Sequence, residues 1–220
     1  MPTLRPLADC RLYTFVDTAY LHGRAPETVA QALCDGGADL VQLRAKGATA
    51  IEVQSLAERL APIVARAGVW FVVNDHLEVA RSVGAALCHL GQADFFDAGH
   101  RHVKELATVA GPDPLIGLSS HAPGQAELAV AAGAAYVAVG PVFATPTKPG
   151  RPPVTVEYVR WAVENLQVPW FAIGGIHRGN LPEILAAGAQ RICVVSAILD
   201  ATDIAGACRE FKQRLPSASA

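Results

Sequence analysis

The chain has 220 residues, of which 18 are Lys or Arg and 20 are Asp or Glu, so its formal net charge is −2. This balance argues against a general nucleic-acid binder, which usually carries a basic excess. Hydrophobic residues make up 51% of the chain and charged residues 17%. That composition excludes a disordered protein and predicts a large buried core.

The apolar runs are short, and none approaches the roughly 18 residues of a membrane-spanning helix. Met1–Cys10 lacks the apolar centre of an export signal. Five cysteines, an odd number without a C-x-x-C pair, indicate reduced thiols rather than a disulfide framework or a zinc site. We therefore expect a cytoplasmic protein with neither a membrane nor a nucleic-acid partner; a homo-oligomer remains open.

In chain order, apolar runs rich in β-branched residues alternate with longer segments of helical pattern. Pro26 favours a first helical turn, and Thr49 with Glu52 predicts a capping box. Strands are predicted at Arg11–Val16, Leu40–Arg44, Val69–Val73, Ala86–His89, Leu115–Leu118, Tyr136–Val139, Trp170–Ile173 and Arg191–Val195. Helices are predicted from Pro26 to Gly36, from Thr49 to Ala67, and at Leu77–Val83, His100–Ala110, Pro123–Ala132, Thr155–Asn165, Asn180–Ala187 and Asp203–Arg214. Continuous apolar strands indicate a parallel sheet buried on both faces.

An internal repeat indicates how these elements are arranged. Four similar segments begin at Gly37, Gly84, Gly133 and Gly188, and each leads from a helix end into an even-numbered strand. Two βα units repeated four times predict a single-domain (β/α)8 TIM barrel, assigned to residues 1–220 with the barrel proper at about 11–214. The alternative, an open doubly wound sheet, normally has a G-x-G-x-x-G turn after an early strand, and no such turn is found.

Polar residues follow the predicted strands, where a barrel builds its functional site. Gln42, Arg44 and Lys46 alternate along one strand, so they share a face if the strand continues. Three hydrogen-bond donors, two of them cationic, suit a phosphate or diphosphate. The plain alternative is a solvated strand end.

Asp75 and Asp94 follow neighbouring strands and supply two carboxylates. Such ligands, together with phosphate oxygens, are a usual site for Mg²⁺. Alternatively, Asp75 caps the next helix and Asp94 ends a turn. His89 and His121 lack the spacing of a zinc site, and His89 is expected to orient a neighbour.

A second anion site is predicted farther along the chain. Gly174–Gly175 and Val195–Ser196 follow the last two strands, where barrels frequently bind phosphate. The Gly- and Pro-rich loop Gly140–Pro153 contains Thr145-Pro-Thr-Lys148. These residues either only form a turn or lie on a loop that closes over a bound anion. Two phosphorylated ligands, or one with phosphates at both ends, would suit these two sites. Nothing in the spacing indicates a covalent nucleophile.

From about Leu12 to Ile198, the motifs resemble those of thiamine phosphate synthases. They are Gln42-Leu-Arg-Ala-Lys46, Val73-Asn-Asp75, His89-Leu-Gly-Gln-Ala-Asp94, Ile116-Gly-Leu-Ser-Ser-His121, Val139-Gly-Pro-Val-Phe143, Thr145-Pro-Thr-Lys148, Ala172-Ile-Gly-Gly-Ile176 and Val194-Val-Ser-Ala-Ile198. The resemblance implies an enzyme that joins hydroxymethylpyrimidine diphosphate to thiazole phosphate. The products would be thiamine phosphate and pyrophosphate, formed by dissociative, Mg²⁺-assisted loss of pyrophosphate.

The resemblance also implies roles for individual residues. The pyrimidine diphosphate would be held by Gln42, Arg44, Lys46, Asn74, Ser119 and Lys148, and the catalytic set would be Arg44, Lys46, Lys148 and Ser119. The thiazole phosphate would be held by Thr145, Thr147, Gly175, Val195 and Ser196. Mg²⁺ would be held by Asp75 and Asp94.

Two positions depart from the family pattern, which usually has an acidic residue at Ala45 and Arg at His76. Ala45 is expected to point away from the ligands, whereas His76 would weaken support for the metal aspartate or the diphosphate. The departures leave open a non-catalytic binder of thiamine precursors. A thiazole tautomerase is the other alternative, but that branch lacks the full set of cations, paired aspartates and Thr-x-Thr-Lys.

Overall fold

The structure is a computed structural model that describes residues 3–108, 112–145 and 152–217. Its sheet is a closed barrel of parallel strands in sequence order. They are β1 (Leu12–Asp17), β2 (Leu40–Arg44), β3 (Trp70–Asn74), β4 (Leu87–Leu90), β5 (Leu115–Ser120), β6 (Tyr136–Val139), β7 (Trp170–Ile173) and β8 (Ile192–Cys193). Tyr13 of β1 lies opposite Leu40 of β2 and Cys193 of β8, which closes the sheet. The predicted barrel is confirmed, and the open sheet is excluded.

Helices surround the barrel and largely match their predicted positions. They are α1 (Pro26–Asp35), α2 (Ala50–Arg66), α3 (Leu77–Ser82), α4 (Pro123–Ala131), α5 (Thr155–Asn165), α6 (Leu181–Ala186), α7 (Ser196–Leu199) and α8 (Ile204–Arg214). Thr49 and Glu52 form the predicted capping box, in which the Thr49 N–H donates to the Glu52 carboxylate at 2.7 Å. No helix in the described ranges is long and apolar enough to cross a membrane.

The helix predicted at His100–Ala110 is wrong over the described residues, which extend to Thr108. The segment after β4 instead contains a π-helical turn at Ala93–Asp97 and a 3-10 helix at Val103–Leu106. Glu105 accepts the His102 N–H at 3.0 Å, so this capping interaction is completed within one turn. The Thr108 N–H then donates to the Asp113 carboxylate at 2.9 Å instead of to a carbonyl of the preceding turn. The helix therefore ends after a single turn.

The last strand is shorter than predicted. The sequence pattern extends it over Arg191–Val195, but β8 contains only Ile192–Cys193. Val195 leaves the extended conformation with φ −111° and ψ −89°, and α7 begins directly after it. The apolar pattern does not distinguish strand from helix in so short a run.

Aromatic side chains fill the barrel interior. Tyr13 stacks on Phe15 with ring centroids 5.1 Å apart, and it meets the rings of Tyr136 and Phe171 edge-on at 5.7 and 5.5 Å. These rings belong to a buried cluster distinct from the larger apolar core. They form an aromatic floor, so the carboxyl ends of the strands surround a cleft with an apolar base.

Candidate functional site

A cleft opens at the carboxyl ends of the strands, and every strand or the loop after it supplies a lining residue. The predicted site residues in its lining are Gln42, Arg44, Lys46, Asn74, Asp75, Ser119, Thr145, Gly175, Val195 and Ser196. Asp94 is described by the structure but lies outside this lining, and Thr147 and Lys148 lie outside the described residues. Most of the predicted site is therefore brought together around one opening.

Two cations from β2 and the residues after it stand on one side of the cleft, each beside a carboxylate. Arg44 Nη1 donates to Asp17 Oδ2 at 2.6 Å, and the Asp17 side chain is only 1% exposed. Lys46 Nζ donates to Asp75, and this pair is much more open to solvent. Asp17 thus holds the Arg44 guanidinium at the cleft wall, whereas Lys46 can change partners at little cost. The sequence pattern alone did not indicate this role for Asp17.

The two predicted metal ligands differ in their surroundings. Asp75 has a left-handed backbone with φ +63°, and its N–H donates to the His89 carbonyl at 2.9 Å. Asp94 lies exposed in the π-helical turn, where its carboxylate accepts the Gly91 N–H at 3.2 Å. Burial, followed by the charge of Asp75 and then a smaller contribution from Asp94, raises the pKa of the Cys88 thiol to about 12. Both carboxylates therefore lie near the end of β4.

These carboxylates provide the oxygen chemistry that Mg²⁺ prefers. In the ranges 3–108, 112–145 and 152–217, no three His, Cys, Asp or Glu side chains are grouped to hold a metal ion. A bound ion would need phosphate or water oxygens in addition, as is usual for Mg²⁺. Asp75 does not cap α3, because the N-cap of that helix is His76. The Asp94 carboxylate, in contrast, does accept a backbone N–H within its own turn.

The glycines opposite the cations have a packing role that the sequence did not indicate. A Cβ on Gly174 would lie 2.4 Å from Pro141 Cβ, and one on Gly175 would lie 2.6 Å from the Ala144 carbonyl oxygen. The loops after β6 and β7 thus touch backbone to backbone. The Asn180 side chain adds a hydrogen bond to the Gly175 carbonyl at 2.8 Å. Asn180 was a site-supporting residue that the sequence missed.

A chain of buried hydrogen bonds crosses the barrel beneath the cleft. Gln42 Nε2 donates to the Tyr13 hydroxyl, which lies 2.8 Å from the Tyr136 hydroxyl. The Tyr136 hydroxyl lies 2.9 Å from His89 Nδ1, and His89 Nε2 lies 2.9 Å from Ser119 Oγ. His89 therefore has the orienting position that the sequence predicted. The two tyrosines were missed, although Tyr136 carries a hydroxyl in an otherwise apolar strand.

The two departures from the family pattern lie away from the cleft lining. Ala45 is 8% exposed and packs in the outer apolar core, while its neighbours Arg44 and Lys46 line the cleft. This agrees with the orientation expected from the strand period. His76 is partly buried at the N-cap of α3, and its N–H donates to the Asn74 carbonyl at 2.8 Å.

The family model described as thiamine monophosphate synthase matches residues 12–198. The chain belongs to this family. A thiamine-phosphate synthase of Thermus thermophilus is 48% identical over 181 residues, which cover 82% of this chain and 84% of that relative. One from Gloeobacter violaceus is 47% identical over 209 residues, which cover 95% of this chain and only 58% of that relative's length.

A solved structure gives the same family and fold. The thiamine phosphate pyrophosphorylase from Pyrococcus furiosus superposes with a TM-score of 0.81 at 28% identity, covering 95% of this chain and 96% of that one. The resemblance found in the sequence is thus confirmed, and the chain is a member of the thiamine monophosphate synthase family of enzymes.

Proposed function

We propose that the chain is a thiamine-phosphate synthase that joins hydroxymethylpyrimidine diphosphate to thiazole phosphate. The observation that carries the proposal is a single cleft lined by Arg44 and Lys46 together with the loop residues Gly175 and Ser196. Such a cleft can accept a phosphorylated group at each end. Family membership and the similarity to proteins named thiamine-phosphate synthase support the same reaction. We propose that it acts in the cytoplasm on these small substrates.

The pyrimidine diphosphate would lie on the cationic side. Arg44 can bind two diphosphate oxygens while Asp17 fixes its position, and Lys46 can leave Asp75 for the ligand. The other residues proposed to hold this substrate are Gln42, Asn74, Ser119 and Lys148. Together they would bind the ring over the aromatic floor and the charged diphosphate at the rim.

Asp75 and Asp94 would hold Mg²⁺ against the same diphosphate. When bound, the ion would supply charge stabilisation to the departing pyrophosphate. The exposed position of Asp94 and the solvent-open pair of Asp75 with Lys46 leave both carboxylates able to exchange partners. The thiazole phosphate would be held across the cleft by Thr145, Thr147, Gly175, Val195 and Ser196.

The proposed reaction needs no protein nucleophile. The bond from the exocyclic methylene carbon to the diphosphate oxygen breaks, and its electron pair leaves with pyrophosphate. The electron-rich pyrimidine stabilises the resulting cation, and the thiazole nitrogen lone pair then forms the new C–N bond. Arg44, Lys46 and Lys148 would stabilise charge on the leaving group. The cleft would hold the two rings in line.

Water must be kept from the cation, since hydrolysis would compete with coupling. The aromatic floor excludes water from below through the buried rings of Tyr13 and Phe171. Closure of the loop Gly140–Pro153 is our hypothesis for the upper side. Of that loop, 146–151 lie outside the described residues.

The proposal is tested by incubating the purified chain with both substrates and Mg²⁺. We expect thiamine phosphate and pyrophosphate in equal amounts, with neither formed when one substrate is omitted. Isomerisation of the thiazole without coupling would favour the tautomerase. Absence of turnover with the thiazole phosphate still bound would favour a non-catalytic binder.

A further inference from the structure

The hydrogen-bond chain beneath the cleft can run in either direction beyond Gln42, whose Nε2 donates to the Tyr13 hydroxyl. In the arrangement that gives the buried Tyr13 proton an acceptor, Tyr13 donates to the Tyr136 hydroxyl. The Tyr136 hydroxyl then donates to His89 Nδ1. A neutral imidazole that accepts at Nδ1 carries its proton on Nε2, so His89 donates to Ser119 Oγ.

We infer that Tyr136 is a positioning residue that fixes the His89 tautomer and thereby turns the Ser119 hydroxyl proton into the cleft. Ser119 Oγ is 2.9 Å from His89 Nε2, and in the described part of the chain no second hydrogen-bond partner of this hydroxyl is found, so a serine that accepts from His89 has its own proton available. Ser119 lines the cleft, where the proton can meet an acceptor atom of the pyrimidine diphosphate. This inference rests on the proposed function.

The barrel is built to admit the Tyr136 ring. A Cβ on Gly117 of β5 would lie 2.1 Å from Tyr136 Cζ and 2.5 Å from its hydroxyl oxygen. The φ angle of Gly117 is one that other residues also adopt, so glycine is needed here to leave space for the Tyr136 ring. Tyr13 and Tyr136 are 1% and 0% exposed. Burial raises the pKa of both hydroxyls well above the ordinary value, so both stay protonated and can donate.

The test compares Tyr136→Phe with Tyr158→Phe, which both remove one buried hydroxyl. The Tyr158 hydroxyl contacts Ser120 Oγ and the Ala122 carbonyl, each at 2.8 Å, and does not line the cleft. We expect Tyr136→Phe to lower kcat/KM for the pyrimidine diphosphate about tenfold, the effect of one misdirected hydrogen bond. The KM for the thiazole phosphate should stay unchanged, and Tyr158→Phe should leave both values unchanged.

Two further measurements separate positioning from a general packing defect. In a Ser119→Ala background, Tyr136→Phe should cause no further loss, because both substitutions remove the same interaction. In ¹⁵N NMR spectra of the wild-type chain, His89 should carry its proton on Nε2, and Tyr136→Phe should alter that signature. Additive losses, or a wild-type His89 protonated on Nδ1, would overturn the inference. The tautomer is measured without turnover, so this outcome is independent of a failed synthase assay.

Discussion

Arg44 and Lys46 both line the cleft, but their carboxylate partners differ in burial. The Asp17 side chain beside Arg44 is 1% exposed, whereas the Asp75 side chain is 20% exposed and its partner Lys46 is 56% exposed. Removing one partner of a buried pair leaves the other charge desolvated and unpaired, which costs far more than opening a surface pair. The two cations therefore have similar proposed roles in binding and different roles in stability.

Alanine substitutions of the two cations should therefore differ in their effect on stability. Arg44→Ala should lower the free energy of unfolding by about 3 kcal/mol, because it leaves the buried Asp17 side chain without its cationic partner. Lys46→Ala should lower it by less than about 1 kcal/mol. Both substitutions should reduce kcat/KM for the pyrimidine diphosphate. Urea denaturation and steady-state kinetics measure the two effects, and equal stability losses would contradict the distinction.

Asp94 can be tested against an acidic neighbour in the same turn. We predict that Asp94→Ala abolishes Mg²⁺-dependent turnover while the chain remains folded, because one proposed oxygen ligand is lost. Asp97→Ala removes an exposed carboxylate from the same π-helical turn and should leave turnover intact. For both variants, kinetics over a range of Mg²⁺ concentrations measure turnover, and circular dichroism measures folding. Full activity in Asp94→Ala would remove this residue from the metal site.

Part of the site could be predicted at the residue scale because period two along a strand fixes which side chains share a face. Gln42, Arg44 and Lys46 were found in this way. The contact between Tyr13 and Tyr136 joins residues 123 positions apart, and no local pattern encodes it. The same holds for Arg44 with Asp17, a pairing that depends on the register of β1 and β2.

Among the elements, the loops after β6 and β7 act as one unit at the rim. The Val142 N–H donates to the Ile173 carbonyl at 2.8 Å, and the Phe143 N–H donates to the Gly174 carbonyl at 3.1 Å. Thr145, two residues after Phe143, lines the cleft. The position of the predicted thiazole-phosphate residues thus depends on close backbone packing as well as on their own chemistry.

Gly175→Ala should therefore be more harmful than the same change at Gly84. The two glycines have φ +63° and +66°, so both substitutions incur the left-handed cost of about 1–2 kcal/mol. Only at Gly175 would the new Cβ also meet backbone and side-chain atoms, the nearest at 2.6 Å, whereas Gly84 has nothing within 4 Å. Thermal denaturation should show the larger loss for Gly175→Ala, accompanied by a raised KM for the thiazole phosphate. Equal losses would contradict the packing role.

Strands and capped helices were predictable because their signals are local. The Thr49 capping box and the glycines that end helices belong to this class. The segment after β4 was not predictable, because the side chains of His102 and Asp113 replace helical hydrogen bonds there. Helix α7 was not predicted, because the apolar run through Val195 fits a strand equally well.

For the whole molecule, the repeat of paired βα units was enough to predict the barrel. The net charge of −2 was not informative about the site, because the few charges are unevenly placed. Arg44, Lys46 and Asp75 gather at the rim, while the apolar excess lies in the barrel and the helix interfaces. A near-neutral composition is therefore compatible with a local cluster of charged side chains at the cleft.

Buried thiols are expected to make the whole fold less stable as the pH becomes alkaline. Burial raises the pKa of Cys10, Cys88 and Cys208 from the ordinary 9.0 to about 12. Above pH 9 the unfolded chain loses protons that the folded chain retains, so the stability present below pH 9 declines as pH rises towards 12. Over this range, each thiol lowers the free energy of unfolding by up to about 1.4 kcal/mol per pH unit.

Urea denaturation between pH 8 and pH 10, under reducing conditions, measures this dependence. We expect the free energy of unfolding to fall as pH rises through this range. In Cys88→Ala the decline should be shallower, even though the variant is less stable overall. An unchanged slope in that variant would show that the thiol does not contribute.

The proposed reaction depends on one cleft that holds two phosphorylated groups at opposite sides. A crystal structure of the chain with thiamine phosphate, pyrophosphate and Mg²⁺ would show whether it does. We predict pyrophosphate beside Arg44 and Lys46, with the ion between it and Asp75 and Asp94, and the thiamine phosphate group at Gly175 and Ser196. Both phosphorylated groups on the same side, or thiamine phosphate bound outside the cleft, would rule this arrangement out.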